Sequence, residues 1–464
     1  MLGVVVFYIA FLCRELILFA AVGFLIGNLD ELAIDAIWLI RAAWRSVTIF
    51  RSVARGSVAN LAPPDHPGRM AIFIAAWDEA GVINAMLRFA LATLEHDDFH
   101  IYVGCYANDA ATRQDVRSID DRRLRIVVNP RNGPTSKADC LNILWHAMAA
   151  NERRDGVPYK AIVLHDAEDI VHRDELRVFD RLIERAALVQ LPVRPLPDPN
   201  SRWVSGHYCD EFAEAHGKVL VVREFLGAAI PSAGVGCAFD RVTLGKIAAL
   251  NGGAPFSADS LTEDYELGLK IGALGERTIL ARLPVDPASG RDLVQTCAHF
   301  PATLQAAERQ KARWVTGIAL AGYDRMGWRG GIAEMWMRAR DRRALFSALV
   351  CVTGYAAIML TALLATLHWF VGSIPPDIPR LTGLLVALNA VLMLWRSLVR
   401  AFFVSRAYGW RMGLLSVPRL IVANVISIIA ARRALVAYLR LMRTGEVRRD
   451  KTRHHFPADP LAAQ

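Results

Sequence analysis

The chain has 464 residues, of which 54% are hydrophobic and 21% charged, and its mean hydropathy is +0.27. This composition is too apolar for an ordinary soluble protein, while the charged fraction requires a sizeable polar domain beside membrane-embedded segments. The net charge of +9 fits basic loops that face an anionic membrane surface. It does not indicate nucleic-acid binding, because no basic stripe with interleaved aromatic residues occurs.

Seven cysteines are scattered along the chain without a C-x-x-C pair. This spacing argues against a structural zinc site and against a disulfide framework. It is typical of a polar domain in a reducing cytoplasm.

The first apolar segment, residues 3 to 27, predicts a transmembrane helix. Its beginning is uncharged and its apolar core is long, so we expect a retained anchor instead of a cleaved signal peptide. Arg14 and Glu15 are costly at membrane depth, and we expect them to face protein. Arginines between residues 41 and 55 place this end in the cytoplasm by the positive-inside rule. Residues 1–62 are thus expected to form a transmembrane and an interfacial helix.

More apolar segments occupy residues 331–440, ahead of a basic tail, 441–464, that we expect in the cytoplasm. Residues 344 to 371 and 381 to 395 predict two spans, joined by a short turn at 373–377. Residues 414 to 431 are apolar but contain Pro418, Arg419 and Asn424, and a fourth span would put the basic tail outside. We therefore expect an interfacial or re-entrant helix there, with a fourth span as the alternative.

The polar domain, residues 63–330, alternates short apolar runs with helical patterns. The predicted strands are 70–76, 100–105, 124–128, 161–164, 188–193 and 277–281, and the predicted helices are 80–95, 137–150, 173–187, 208–224, 262–273 and 303–320. Alternation of strands and helices predicts an α/β layer with a mainly parallel sheet. Ligands of such sheets bind beyond the carboxyl ends of the strands.

Three motifs carry the candidate chemistry. In chain order they are the acidic cluster Asp166-Ala167-Glu168-Asp169, the triplet Thr262-Glu263-Asp264 and the pentad Gln310-Lys311-Ala312-Arg313-Trp314. The acidic cluster follows a predicted strand, and its carboxylates repel one another unless a cation or solvent screens them. Carboxylate oxygens of this kind suit Mg²⁺ or Mn²⁺, which also bridge substrate phosphates. A solvated acidic loop is the alternative.

Asp264 is the predicted general base, because a sugar hydroxyl is a poor nucleophile until a carboxylate takes its proton. A helix-capping cluster is the alternative for this triplet. In the pentad, Gln310, Arg313 and Trp314 share one helix face. Glutamine can bind sugar hydroxyls, arginine a diphosphate and tryptophan the flat side of a pyranose. A membrane-anchoring interfacial helix is the alternative for the pentad.

The chain carries, in this order, the acidic cluster, the TED triplet, the Q-x-x-R-W pentad and then apolar spans. This order resembles that of membrane-bound family 2 glycosyltransferases, the group of cellulose and hyaluronan synthases. The resemblance implies a GT-A-type, Rossmann-like cytoplasmic domain flanked by transmembrane helices. It implies metal binding by Asp166 with Glu168 or Asp169, since the usual family pattern is D-x-D. Mg²⁺ or Mn²⁺ is the expected cofactor.

The resemblance also implies two groups of substrate-binding residues. The nucleotide-sugar group contains Asp78, Glu79, Asp109, Lys137, Asp166 and Arg313, and the acceptor group contains Gly236, Cys237, Glu263, Gln310 and Trp314. Ordinary alternatives stay open: Asp78, Glu79 and Asp109 can be caps or turn residues, and Lys137 can be an ordinary lysine in the first turn of a helix. The glycine-rich segment 232–239, which contains Gly236 and Cys237, can be a simple turn.

The expected function is an inverting hexosyl- or N-acetylhexosaminyltransferase that moves sugar from a UDP-sugar to a growing polysaccharide. The expected location is a bacterial inner membrane, where membrane lipids and an envelope export protein are further partners. Transfer to a polyprenyl phosphate is one alternative, although such enzymes typically lack Q-x-x-R-W. A non-catalytic envelope scaffold with a decayed transferase fold is another. His299-Phe300-Pro301 and the closing segment 450–457 resemble bacterial surface-polysaccharide members in particular.

Overall fold

The computed structural model describes residues 2–287, 292–372, 378–444, 456–457 and 459–460. The strands are β1 (Arg69–Ala75), β2 (Phe99–Tyr106), β3 (Leu124–Asn129), β4 (Tyr159–His165), β5 (Leu188–Gln190), β6 (Val193–Pro195), β7 (Cys237–Asp240), β8 (Thr278–Leu280) and β9 (Thr296–Ala298). Seven of them form one sheet in the order β3-β2-β1-β4-β7-β5-β8, and β6 pairs with β9. Within the large sheet, β7 runs antiparallel to β4 and β5, and the other pairs are parallel. The predicted mainly parallel sheet is confirmed.

Both faces of the sheet are buried, because its central strands are apolar at successive positions. Along β1, Ile72 and Ile74 pack into the core on one face, while Ala71 and Phe73 pack into the core on the other. Continuous apolar runs of this kind are typical of strands with helices on both sides.

The helices continue from the amino terminus into the apolar end of the chain. They are α1 (Leu2–Thr48), α2 (Ile83–Thr93), α3 (Ala110–Arg117), α4 (Lys137–Asp155), α5 (Glu175–Leu182), α6 (Val204–Glu214), α7 (Leu220–Phe225), α8 (Arg241–Leu250), α9 (Glu263–Ala273), α10 (Leu304–Val315), α11 (Gly322–Met326), α12 (Ile332–Arg342), α13 (Ala344–Val371), α14 (Arg380–Tyr408) and α15 (Trp410–Thr444). Two π-helical turns, Ala215–Val219 and Thr316–Ala321, connect α6 to α7 and α10 to α11.

The predicted strands and helices of the polar domain all have counterparts in the structure. The stretch 188–193 is divided into β5 and β6, with Pro192 between them, which has no backbone N–H for a sheet ladder. Five elements of the polar domain were not predicted: α3, α8, α11, β7 and β9. The two strands have only four and three residues and follow or adjoin loops, so their sequences carry little periodicity.

Helix α1 has 47 residues and runs without a break well beyond the predicted span 3–27. Its second half carries acidic side chains that pair with basic side chains from the rest of the chain. Asp30 and Glu31 contact Arg340 and Arg343, with Arg340 Nη2 at 2.9 Å from Glu31. These ion pairs favour a position outside the apolar membrane core for this half of α1.

Four helices are long and apolar enough to cross a membrane: α1, α13, α14 and α15. The first three correspond to the predicted spans, although α14 extends past residue 395 to Tyr408. The predicted turn 373–377, and the basic tail except for residues 441–444, 456–457 and 459–460, lie outside the described residues.

Helix α15 is the segment for which an interfacial or re-entrant position was predicted. It is long enough to span, and it contacts both the polar domain and an apolar helix. Arg419, Arg433 and Tyr438 of α15 contact Asp210, Glu308 and Asp324 at 2.9, 3.4 and 2.6 Å, and these partners belong to α6, α10 and α11. Asn424 of α15 donates a hydrogen bond to Tyr355 of α13 at 3.1 Å. The interfacial or re-entrant position therefore stays a prediction, with a fourth span as the alternative.

The innermost of these contacts is a fully buried ion pair. Arg419 and Asp210 have side-chain exposures of 1% and 0%, and an added Cβ at Gly206 would lie 2.1 Å from Nη1 of Arg419. The glycine therefore makes room for the guanidinium. Burial raises the pKa of Asp210 to about 7 in spite of the adjacent positive charge, which shows how strongly this carboxylate depends on its partner.

We expect Arg419→Ala to lower the free energy of unfolding by about 3–5 kcal/mol, because it leaves a buried carboxylate without its cation. Thermal unfolding of the detergent-solubilised protein measures the effect. Arg432→Ala, on the exposed side of the same helix, is the matched control and should change stability little. Equal melting temperatures for the two variants would show that the pair does not hold α15 on the domain.

Candidate active site

The site is built where the carboxyl ends of β1, β2 and β4 meet one edge of the sheet. Asp78 and Glu79 follow β1, Asp109 follows β2, and Asp166 follows β4. β7 runs in the opposite direction, so its beginning, with Gly236 just before it, lies at the same edge. The strand-end placement predicted from the sequence is thus present in the fold.

Lys137, the first residue of α4, connects the acidic cluster to the glycine-rich segment. Its Nζ lies 2.5 Å from Oδ1 of Asp166 and 3.4 Å from the carbonyl oxygen of Gly234. Burial lowers the pKa of this amine, but the charges of Asp166, Glu263 and Asp264 outweigh burial and raise it overall. The acidic cluster and the TED triplet therefore face the same cation.

Asp264 lies directly against the backbone of Gly234. A Cβ added at Gly234 would lie 2.2 Å from Oδ2 of Asp264, and the glycine has φ +76°. The other carboxylate oxygen, Oδ1, accepts a hydrogen bond from the Tyr265 N–H at 2.8 Å. Glycine is therefore required at residue 234 both for its backbone conformation and for the space that Asp264 occupies.

The TED carboxylates are perturbed in the direction that suits acid–base chemistry. Burial, followed by repulsion from Asp264, raises the pKa of Glu263 to about 7. Burial also raises the pKa of Asp264, against the positive charge of Lys137. The charge of Arg313 acts on both carboxylates in the opposite direction. The arginine of the pentad and the TED triplet are therefore electrostatic neighbours, and their roles stay predictions.

The three acids of the Asp166–Asp169 cluster face different surroundings. Asp166 has a side chain that is 37% exposed, at the site. Glu168 is buried, and Asp169 turns inward, where Oδ2 lies 3.0 Å from Nδ1 of His165 and accepts the Asp166 N–H at 2.9 Å. The other ring nitrogen of His165 lies 2.8 Å from Glu175. Asp169 thus stabilises the turn that presents Asp166.

Among the described residues, no group of three His, Cys, Asp or Glu side chains is close enough to form a complete metal cage. A magnesium-type site does not need one, because the ion keeps waters and is held by one or two carboxylates and the substrate phosphates. Asp166 fits that arrangement, and the surplus of carboxylates over Lys137 and Arg313 favours a cation. The metal roles of Asp166, Glu168 and Asp169 stay predictions.

The acids after β1 and β2 are also used by the fold. Asp109 caps α3 by accepting the Thr112 N–H at 3.2 Å, and its second oxygen accepts the Asp78 N–H at 2.6 Å. Asp78 has φ +55°, unusual outside glycine. Glu79 is buried and its N–H donates to Thr112 Oγ1. The capping alternative is therefore realised for Asp109, and nucleotide binding by the three acids stays a prediction.

The glycine-rich segment is held by one buried glutamine. Gln190 donates to the carbonyl oxygens of Val235 and Gly236 at 2.9 and 3.1 Å and accepts the Ala233 N–H at 2.8 Å. Cys237 is fully buried, and burial raises the pKa of its thiol to about 12. Its side chain lies in the core, so an acceptor contact there would use the backbone. The sequence pattern did not indicate Gln190, which is distant in the chain.

Gln310, Arg313 and Trp314 lie on α10 and differ in exposure. Arg313 is exposed, whereas Trp314 is half-buried in an aromatic cluster with Tyr208 and Phe300. Oε1 of Gln310 is buried and has no hydrogen-bond partner among the described residues. An unsatisfied buried amide is costly without a ligand or water. This observation supports a ligand-binding role for Gln310.

Residues 66–317 match the family described as glycosyltransferase like family 2. The chain therefore belongs to this family, and the family resemblance inferred from the motifs is confirmed.

Curated relatives extend the match over nearly the whole chain. Bacteriophage adsorption protein B of Escherichia coli (strain K12) is 37% identical over 462 residues, covering 94% of this chain and 61% of the relative. Bacteriophage N4 adsorption protein B of Escherichia coli O157:H7 has the same identity and coverage. The chain thus spans 61% of the length of the curated relatives it matches.

A solved structure shares the fold. The mannosyltransferase of Pyrobaculum calidifontis, in complex with GDP-Man and Mn²⁺, superposes with a TM-score of 0.51 at 18% identity. The superposition covers 89% of this chain and 99% of that chain. At this identity the likeness shows the fold alone, and it confirms the GT-A-like architecture expected from the sequence.

We expect Gly234→Ala to abolish most sugar transfer while leaving the fold intact, because its Cβ would displace Asp264. Gly275→Ala is the matched control: its φ is +79°, and no heavy atom lies within 4 Å of an added Cβ. Both variants carry the same backbone strain, so a loss confined to Gly234→Ala isolates the displacement of Asp264. Equal activity in both variants would contradict the placement of Asp264 against residue 234.

Proposed function

We propose that this chain is an inverting, metal-dependent glycosyltransferase of a bacterial inner membrane. It moves a hexosyl or N-acetylhexosaminyl group from a UDP-sugar to a growing surface or secreted polysaccharide. Its polar domain lies on the cytoplasmic side. The observation that carries the proposal is the meeting of Asp166, Lys137 and Asp264 around Gly234, with the charge of Arg313 beside them.

The reaction follows from the positions of these side chains. The Asp264 carboxylate takes the proton of the acceptor hydroxyl as its oxygen forms the bond to C1 of the sugar. The bond between C1 and the diphosphate oxygen breaks on the opposite face, which inverts the configuration. Asp166, together with the donor phosphates, would hold a divalent cation, which would supply charge neutralisation for the leaving diphosphate. Lys137 and Arg313 supply the protein's own positive charge.

The raised pKa of Asp264 strengthens its part in this mechanism. An unperturbed aspartate, with a pKa of about 3.9, is a weak base at neutral pH. Burial in the site raises the pKa of Asp264, which brings the carboxylate nearer to the proton affinity that an efficient general base needs. Glu263, whose pKa is raised to about 7, lies beside it as a hydrogen-bonding group for the acceptor.

The first test of the proposal uses membranes with the overexpressed protein, a panel of radiolabelled UDP-sugars and GDP-mannose, the donor of the mannosyltransferase that shares the fold. We expect polymer from a UDP-sugar. Asp264→Asn should lower turnover by about 10² to 10⁴-fold with donor binding retained. A short lipid-linked product would instead identify a polyprenyl-phosphate transferase. No product from any donor, with near-identical behaviour of Asp264→Asn, would identify a non-catalytic scaffold.

The second test addresses the metal. We expect Asp166→Asn to abolish metal-dependent UDP binding, measured by titration calorimetry with and without Mn²⁺ or Mg²⁺. Asp169→Asn should instead lower stability and keep the metal dependence, because Asp169 hydrogen-bonds His165. Glu168→Gln tests the remaining carboxylate. Unchanged metal-dependent UDP affinity in Asp166→Asn would remove Asp166 from the metal site.

A further inference from the structure

A second cavity lies away from the sheet edge, where the polar domain meets the helices α1 and α14. Its volume is about 110 Å³, and its lining includes Trp38, Arg194, His216, Arg282 and Arg406. One water needs about 10–15 Å³ of such volume. The cavity therefore has room for a group of several heavy atoms, such as a phosphate.

The charge of this cavity is positive. Arg282 and Arg406 reach solvent at its edge and form no ion pair with a carboxylate of the described residues. Two arginines of the carboxyl-terminal helices differ in this respect: Arg400 of α14 lies 3.3 Å from Glu214, and Arg419 of α15 lies 2.9 Å from Asp210. Among the described residues, Arg282 and Arg406 therefore keep a positive charge that no carboxylate compensates.

The electrostatic surroundings of Arg282 agree with this description. Although the side chain reaches solvent, the protein around it lowers its pKa to about 10, first by desolvation and then by the positive charges of Arg406 and Arg41. The guanidinium stays charged at neutral pH. Like charges held together in this way favour an anion between them.

The interior of the cavity offers neutral polar and aromatic groups. Gln295 is buried, and burial lowers the pKa of His216 to about 3, so its ring is neutral. Nδ1 of His216 accepts the Val193 N–H at 3.4 Å, which leaves the proton on Nε2. The ring of Tyr408 lies 5.2 Å from the Arg194 guanidinium. The lining thus contains cations and neutral polar groups and, among the described residues, no carboxylate, which suits an anion.

An apolar surface adjoins the cavity. Its Trp38 and Phe403 rings pack at 5.1 Å, and around them Leu39, Ile40, Leu398 and Phe402 expose apolar side chains. These residues lie where the apolar part of α14 gives way to arginines. An apolar surface beside uncompensated arginines matches a molecule with acyl chains and an anionic head.

We propose that this cavity binds the phosphate group of an anionic membrane lipid through Arg282 and Arg406. The acyl chains lie along the apolar part of α14. The bound head group joins the polar domain to this helix, because Arg282 belongs to the domain and Arg406 to α14. The site is separate from the reaction centre, and its occupancy does not depend on which sugar is transferred.

Thermal unfolding of the full chain in an uncharged detergent tests the proposal. Phosphatidylglycerol should raise the melting temperature more than phosphatidylcholine does. Each arginine near an anionic head contributes about fivefold in affinity, so the double variant Arg282→Gln/Arg406→Gln should need about 25-fold more lipid. Arg432→Gln, on the exposed side of α15, is the matched control and should respond like the unmodified chain.

Two further arms make the result decisive. Arg282→Lys/Arg406→Lys retains the charge and should recover most of the lipid response, which separates charge from folding. UDP binding by each variant confirms that the polar domain is folded. Inorganic phosphate giving the full response alone would assign the site to a soluble anion and overturn the lipid assignment. An undiminished phosphatidylglycerol response in the double glutamine variant would overturn the site itself.

Discussion

The candidate site depends on how Lys137 compensates a crowded group of carboxylates at one edge of the sheet. Asp166, Glu263 and Asp264 all act on Lys137, whose Nζ lies 2.5 Å from Asp166. These acids come from a strand end and a helix start that are distant in sequence, and Lys137 begins a third element. Since buried like charges are costly without cations, this lysine makes their convergence tolerable. The remaining surplus of negative charge is what a divalent cation would compensate.

Behind this edge, a second charge cluster fixes the position of Asp166. His165 lies between Asp169 and Glu175, is fully buried, and has its pKa raised to about 10 because the two carboxylates outweigh desolvation. A charged imidazole there rigidifies the turn after β4. The acidic cluster thus combines two physical tasks in four residues: one carboxylate faces the site, and another neutralises a buried cation. The sequence alone did not show which carboxylate of the cluster has which position, because Glu168 and Asp169 are both acidic.

Patterns among neighbouring residues predicted the structural features that depend on neighbouring residues. Apolar runs predicted the central strands, and the candidate motifs were correctly expected to follow the carboxyl ends of several of them. Such patterns could not predict the pairing of strands that are distant in the chain. For example, β7 has only four residues, and its position is determined by its antiparallel partners β4 and β5. Gln190, which holds the glycine-rich segment, gave no signal because its partners are far along the chain. Cys237 was predicted beside the acceptor from its neighbours, and only the fold reveals that its side chain points into the core.

The helix with the Q-x-x-R-W pentad joins the reaction centre to the apolar part of the protein. Arg313 of α10 acts on the TED carboxylates, while Ala312 of α10 packs with Ala430 and Ala434 of α15. Small residues at this contact bring the two helix backbones close together. Helix α15 is also held against α6 through the buried Arg419–Asp210 pair. Since α10 packs closely against α15, a displacement of α15 would shift α10 and the Arg313 that it carries. The candidate site is thus connected to the apolar helices through the contact between α10 and α15.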